Sequence, residues 1–159
     1  MNTLSHEEFK NVVKNTPIIA IDFIIENSEG KILLGRRNNS PARGYWFVPG
    51  GRIHKDELYE AAFKRLLKAE TGIQMSLADS CFLGIYQHIY PHDNFAGDPT
   101  FGTHYIVIAY RIRLQEALNK LPEEQHSGYW WASVDQILED DRVHQNTKNY
   151  FNGFPSLSG

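Results

Sequence analysis

A few side chains stand out from their surroundings as able to do chemistry. Glu57, Arg65 and Glu70 follow Gly50-Gly51 at fixed intervals, and Gly72 closes the run. A carboxylate such as Glu70 on a helix face is the kind of oxygen donor that gathers hard divalent cations. Asp22 lies in an otherwise apolar strand pattern, where a charge is costly unless it is paired or used. His126 follows Gln125 in a polar loop, and a histidine in such a place, taken alone, is more often solvated than catalytic. His88 alternates with apolar neighbours, so it either faces a cleft or is a hydrogen-bonded, half-buried residue. Strand alternation lets only one of His104 and Tyr105, and only one of Arg36 and Arg37, face a common site.

The elements that position these groups follow from pattern and punctuation. Ser5 with Glu8 three residues later forms a capping box for a helix to about Asn15, with Phe9, Val12 and Val13 inward and Pro17 ending it. Ile18 to Glu26 and Lys31 to Arg37 flank Asn27-Ser28-Glu29-Gly30 and predict a hairpin. A polar loop, Asn38 to Gly44, leads to an aromatic strand, Tyr45 to Pro49, that stops at Gly50-Gly51. From Asp56 to Thr71 the apolar positions Leu58, Ala61, Ala62, Phe63, Leu66 and Leu67 recur at helical spacing, and Gly72 supplies the stop. Strand patterns at Cys81 to Tyr90 and Thr103 to Arg113 enclose a loop, Pro91 to Gly102, suited to covering a site. Beyond Tyr129-Trp130-Trp131, weak patterns at Ser133 to Leu138 and His144 to Phe151 predict closing helices.

The totals bound the function classes. A chain of 159 residues with 42% hydrophobic content supports one ordinary core, so a single domain over 1–159 is expected. A net charge of −3 and a pI near 6.1 provide no overall cationic field, which argues against nucleic acid as a partner. Cys81 is the sole cysteine, so neither an internal disulfide nor a thiolate metal cage can form, and a cytoplasmic location is expected. The N-terminus lacks the basic and apolar regions of a signal peptide, and Pro17 to Ile25 is far shorter than the ~20 residues a bilayer requires, so no membrane association is expected.

The stretch Gly51-x5-Glu57-x7-Arg65, continued by Glu70-x-Gly72-Ile73, resembles the Nudix box, G-x5-E-x7-R-E-U-x-E-E-x-G-U, with U a bulky aliphatic residue. Where that pattern places three carboxylates after the arginine, this chain has Leu66, Ala69 and Glu70. Within the Nudix family the altered box is similar to that of the GDP-mannose mannosyl hydrolases. So are Thr16-Pro17 through Asp22-Phe23, Leu34 to Arg37, Gly44 to Arg52, Thr103-His104-Tyr105 and Glu124-Gln125-His126. The resemblance implies an α+β Nudix fold, a mixed β-sheet sandwiched between α-helices, and a homodimer. It also implies Mg²⁺-dependent hydrolysis of GDP-mannose or GDP-glucose to GDP and free sugar with inversion. Carried to matching positions, His126 is the general base, and Glu70, Gln125 and the Gly50 carbonyl hold one Mg²⁺ per subunit. Arg37 and Arg52 hold the diphosphate, and Tyr105 donates to the leaving group. Asp22 is assigned to the sugar side; His88 and Phe9 are further substrate-contact candidates, Phe9 for stacking the base.

The chemistry is coherent on its own terms. GDP leaves more readily than an alkoxide, so if its charge is neutralised, one general base for water is sufficient. Glu57 and Arg65 read as a structural charge pair, and Trp46, Phe47, Trp130 and Trp131 as packing. Two other functions compete. A conventional Nudix pyrophosphohydrolase attacking phosphorus would yield GMP and a sugar 1-phosphate, and a non-catalytic nucleotide-sugar-binding module would show no turnover.

Overall fold

The computed structural model describes residues 3–118, 121–122 and 126–152 of the chain. Strand β1 (Ile18–Glu26) runs through the middle of a mixed sheet, which is why Ile21, Phe23, Ile24 and Ile25 are buried on alternating faces. Strand β6 (Thr103–Arg113) lies parallel to it from Ile18↔Tyr105 to Glu26↔Arg113, and β5 (Cys81–Tyr90) pairs antiparallel with β6 as the sheet edge.

On its other side β1 meets β2 (Ile32–Arg37) at Glu26↔Ile32, and the two strands then part. The expected hairpin is therefore splayed. The gap is filled by β4 (Gly50–Arg52), antiparallel to β1 from Ala20↔Arg52 to Asp22↔Gly50. The glycine pair expected to stop a strand thus forms one, and β3 shrinks to Trp46–Phe47. A Cβ at residue 50 would lie 2.1 Å from Asp22 Oδ1, so this close approach to β1 requires glycine. Strand β7 (His126–Ala132) pairs with β2, placing His126 opposite Arg37. His126 is accordingly the first residue of a strand, not part of a polar loop.

Helix α1 (His6–Asn15) opens with the expected capping box between Ser5 and Glu8. Helix α2 (Tyr59–Thr71) buries Ala62, Phe63, Leu66 and Leu67 against Ile21, Phe23 and Ile25. It begins later than its periodicity predicts, leaving Leu58 79% exposed, and Ala61 is exposed as well. The opposite face is covered by α3 (Val134–Glu139), capped by Ser133 and Gln136, and by α4 (Gln145–Lys148), which continues into a 3₁₀ turn, Asn149–Phe151. The sheet is thus sandwiched between helices, an α+β architecture. Loop 91–102 packs on α1, with Phe95 against Phe9 and Asp98 paired to Lys10 at 3.1 Å. Asp93 accepts from the Ala42 amide at 2.7 Å, so these two aspartates organise the loop. No helix among the described residues is long and apolar enough to cross a membrane.

Candidate active site

Where β1 and β2 part, the sheet opens into a cavity of about 190 Å³. Asp22 and Arg37 line it from the diverging strands, and Gly50 and Arg52 from β4. His88 and Tyr105 contribute from β5 and β6, while Glu70 and His126 reach it from α2 and β7. Eight residues singled out in the sequence are therefore brought to one place. Phe9 is not among the lining residues, and its ring faces are engaged elsewhere. The Arg52 guanidinium lies 4.4 Å from its centroid and Phe95 packs at 4.7 Å, so Phe9 holds Arg52 instead of offering an open stacking face. Gln125, with Glu124, lies outside the described residues. None of residues 91–102 lines the cavity, so the loop does not cover it.

Strand alternation sorts the paired candidates as its geometry demands. Arg37 and Tyr105 face the cavity, and Arg37 stands 5.0 Å from the centroid of Phe47. Their neighbours turn away: Arg36 donates to the Gly44 carbonyl at 3.2 Å, and His104 contacts Gln87 at 2.8 Å. Arg65 binds both oxygens of Glu57, at 2.6 and 2.9 Å, and donates to the Arg52 carbonyl at 3.0 Å. This fork ties the start of α2 to β4, and it holds the Glu57 carboxyl down to about 2.

The charged groups of the cleft are set by burial and by one another. Burial pushes Asp22 up to about 7, against the opposing pull of Tyr150 and Arg37. Burial likewise pushes His88 down to about 4, helped by His144 and Arg37, so that its imidazole is neutral near pH 7. Arg52 is lowered from its ordinary range by burial and by Arg65. Buried His126 places Nε2 2.8 Å from Glu70 Oε2, while its Nδ1 is buried without a hydrogen-bond partner. The ring fits there because residue 35 is glycine: a Cβ would fall 2.4 Å from Nδ1.

Two tyrosines are among the cavity neighbours that escaped the sequence reading. Tyr90 lies two residues beyond His88 on β5 and shares its face, a relation that alternation alone could have disclosed. Burial raises its phenol to about 12. Tyr150 donates to Asp22 from 128 positions away, and no local pattern announces that.

A glycine strand feeding an arginine-braced helix beside a cleft with two arginines defines a site for phosphate-bearing substrates. A model of the NUDIX domain matches residues 16–153, and the chain belongs to that family, as a hydrolase of nucleotide-linked substrates. It is 35% identical over 121 residues to the low-salt glycan biosynthesis protein Agl8 of Haloferax volcanii, covering 76% of this chain and 74% of that one. An ADP-ribose pyrophosphatase of Methanocaldococcus jannaschii is 40% identical over 70 residues, 44% of this chain and 40% of that protein. Among solved structures, a MutT protein from Methanosarcina mazei Go1 shares the fold with a TM-score of 0.67 at 24% identity, covering 87% of this chain and 93% of that one.

Nudix hydrolases generally use a divalent cation such as Mg²⁺. Among the described residues, no group of three or more His, Cys, Asp or Glu side chains is arranged to hold a metal. Leu66 is buried in the core and Ala69 does not line the cavity, so α2 offers Glu70 alone. Glu70 and the Gly50 backbone are oxygen donors of the type Mg²⁺ takes, which fits an ion completed largely by substrate and water.

Proposed function

We propose that the chain hydrolyses a GDP-hexose, GDP-mannose or GDP-glucose, to GDP and the free sugar by attack of water at the anomeric carbon with inversion. The observation that carries this reading is that α2 presents one carboxylate to a cavity that Arg37, Arg52, Asp22 and His126 also line. A helix with three carboxylates suits several metal ions around a phosphorus under attack. One carboxylate suits a single ion beside a departing diphosphate. The name of the Haloferax relative, a glycan biosynthesis protein, points the same way.

Arg37 and Arg52 hold the diphosphate, where paired guanidinium donors match phosphate oxygens, and Tyr105 donates to the leaving oxygen. A Mg²⁺ held by Glu70, the Gly50 carbonyl and Gln125 would neutralise charge developing on the GDP. Asp22 and His88 line the sugar side. His126 is the general base; to act on water, its Nε2 exchanges Glu70 for the water. Phe9 supports Arg52. We assign the single domain a cytoplasmic location and a homodimeric state, the latter supported by Ile85 and Ile89 of the edge strand β5, which are 67% and 54% exposed.

The name of the Methanocaldococcus relative, a pyrophosphatase, favours a second reading, pyrophosphate cleavage to GMP and a sugar 1-phosphate. Chromatography of the products from GDP-mannose separates the two. GDP with free mannose is expected, and GMP with mannose 1-phosphate would reject the proposal in favour of the second reading.

A further inference from the structure

Tyr150 is 2% exposed, wedged edge-on against Tyr86 with ring centroids 4.6 Å apart. Its hydroxyl lies 2.5 Å from Asp22 Oδ2 and 3.3 Å from His88 Nε2, touching two cavity residues from behind. The other carboxylate oxygen of Asp22 occupies the space where a Cβ on residue 50 would stand, 2.1 Å away. The carboxylate is thus bounded on one side by Gly50 and on the other by Tyr150. A phenol carries one proton. Burial and the neighbouring Asp22 push Tyr150 well above its ordinary range, so the hydroxyl keeps that proton. Against the ionised Asp22 carboxylate, which can only accept, the phenol donates its proton, so the oxygen can only accept from His88, which must then carry its own proton on Nε2.

We propose that Tyr150 is a positioning residue of the active site, ordering His88, its own hydroxyl and Asp22 into a one-directional hydrogen-bonded chain that fixes the Asp22 carboxylate and the His88 tautomer beneath the substrate. Its effect on rate rests on the GDP-hexose reading; its effect on the tautomer does not. A group fixed in advance loses no orientation when the transition state forms, so loosening it lowers kcat more than it raises KM.

The test uses the whole chain labelled with ¹⁵N-histidine. Long-range ¹H–¹⁵N correlation at pH 9, where Asp22 is ionised, with the His88 signals identified by their loss in His88→Gln, should show the proton on Nε2. An Nδ1–H tautomer in the wild type overturns the proposal, with no variant required. In Tyr150→Phe the tautomer bias should disappear and kcat on GDP-mannose should fall about tenfold or more, with KM within about threefold. Adding Asp22→Asn should then cost much less than it does in the wild type. A folded Tyr150→Phe with wild-type kcat on GDP-mannose also overturns the proposal. If the wild-type chain turns over no GDP-sugar at all, the functional reading fails, and the tautomer alone decides the role of Tyr150.

Discussion

Replacing His126 by glutamine separates a base from a prop, because the two roles predict different losses. The imidazole Nε2 stands 2.8 Å from Glu70 Oε2, inside a pocket bounded by Gly35. Glutamine has an amide N–H that can keep the contact with Glu70, so the carboxylate is not left bare, yet its amide cannot take a proton from water. A general base contributes roughly 10²–10⁴-fold, which corresponds to about 3–5 kcal/mol of transition-state free energy. His126→Gln should therefore lower kcat for GDP release by that range at saturating Mg²⁺, with KM changing little, because the base acts mainly in the transition state. If His126 only orients Glu70, the loss instead appears as a 10–100-fold weaker apparent affinity for the metal, recovered at high Mg²⁺. Steady-state kinetics across a Mg²⁺ titration distinguish these. A kcat within a few-fold of wild type at saturating metal refutes the assignment of the base.

The two perturbed groups of the cleft should act oppositely on stability. Asp22, ordinarily near 3.8 but raised to about 7, keeps its proton in the folded chain after the unfolded chain has lost it, so stability declines as pH rises across that interval. His88, lowered from 6.5 to about 4, stays neutral in the fold while the unfolded chain is charged, so stability declines as pH falls across that interval. Between pH 4 and 6.5 the two contributions offset each other. Asp22→Asn should unmask stability that rises with pH, and His88→Gln the reverse, each approaching about 1.4 kcal/mol per pH unit. Urea unfolding of the three proteins at several pH values measures this, and parallel profiles would show that the two groups are not perturbed. Gly50→Ala places a methyl 2.1 Å from Asp22 Oδ1 and 2.4 Å from the Ile21 carbonyl. Overpacking of this kind costs about 1–3 kcal/mol, and each kcal/mol lowers Tm by about 2–4 °C in a chain of this size. Calorimetry showing an unchanged Tm would mean that β4 does not press on β1 as described.

Elements governed by local rules were legible in the sequence. The capping box at Ser5 and the strands Cys81–Tyr90 and Thr103–Arg113 were readable from neighbouring residues alone. What depended on distant partners was not. Gly50 and Gly51 lack strand propensity, yet they form β4 because β1 leaves β2 and has a ladder to complete. Nothing near His126 marks it as a strand residue; its pairing with Arg37 across the sheet does. The candidate site divides in the same way. Asp22 was visible as a charge among apolar neighbours, and the box pointed to Glu57, Arg65 and Glu70, whereas Tyr150 has an ordinary aromatic place in a short terminal turn. Its importance lies in a hydroxyl contact with the far end of the chain. Phe9 was correctly seen as an inward aromatic, but its partner, Arg52, follows only from the packing of α1 against β4.

Hydrolysis of GDP-mannose in ¹⁸O-enriched water, followed by mass spectrometry of both products, tests the central claim most directly. Attack at the anomeric carbon places the heavy oxygen in the released sugar and leaves GDP unlabelled. Label in the phosphate of any product would show attack at phosphorus and contradict the account.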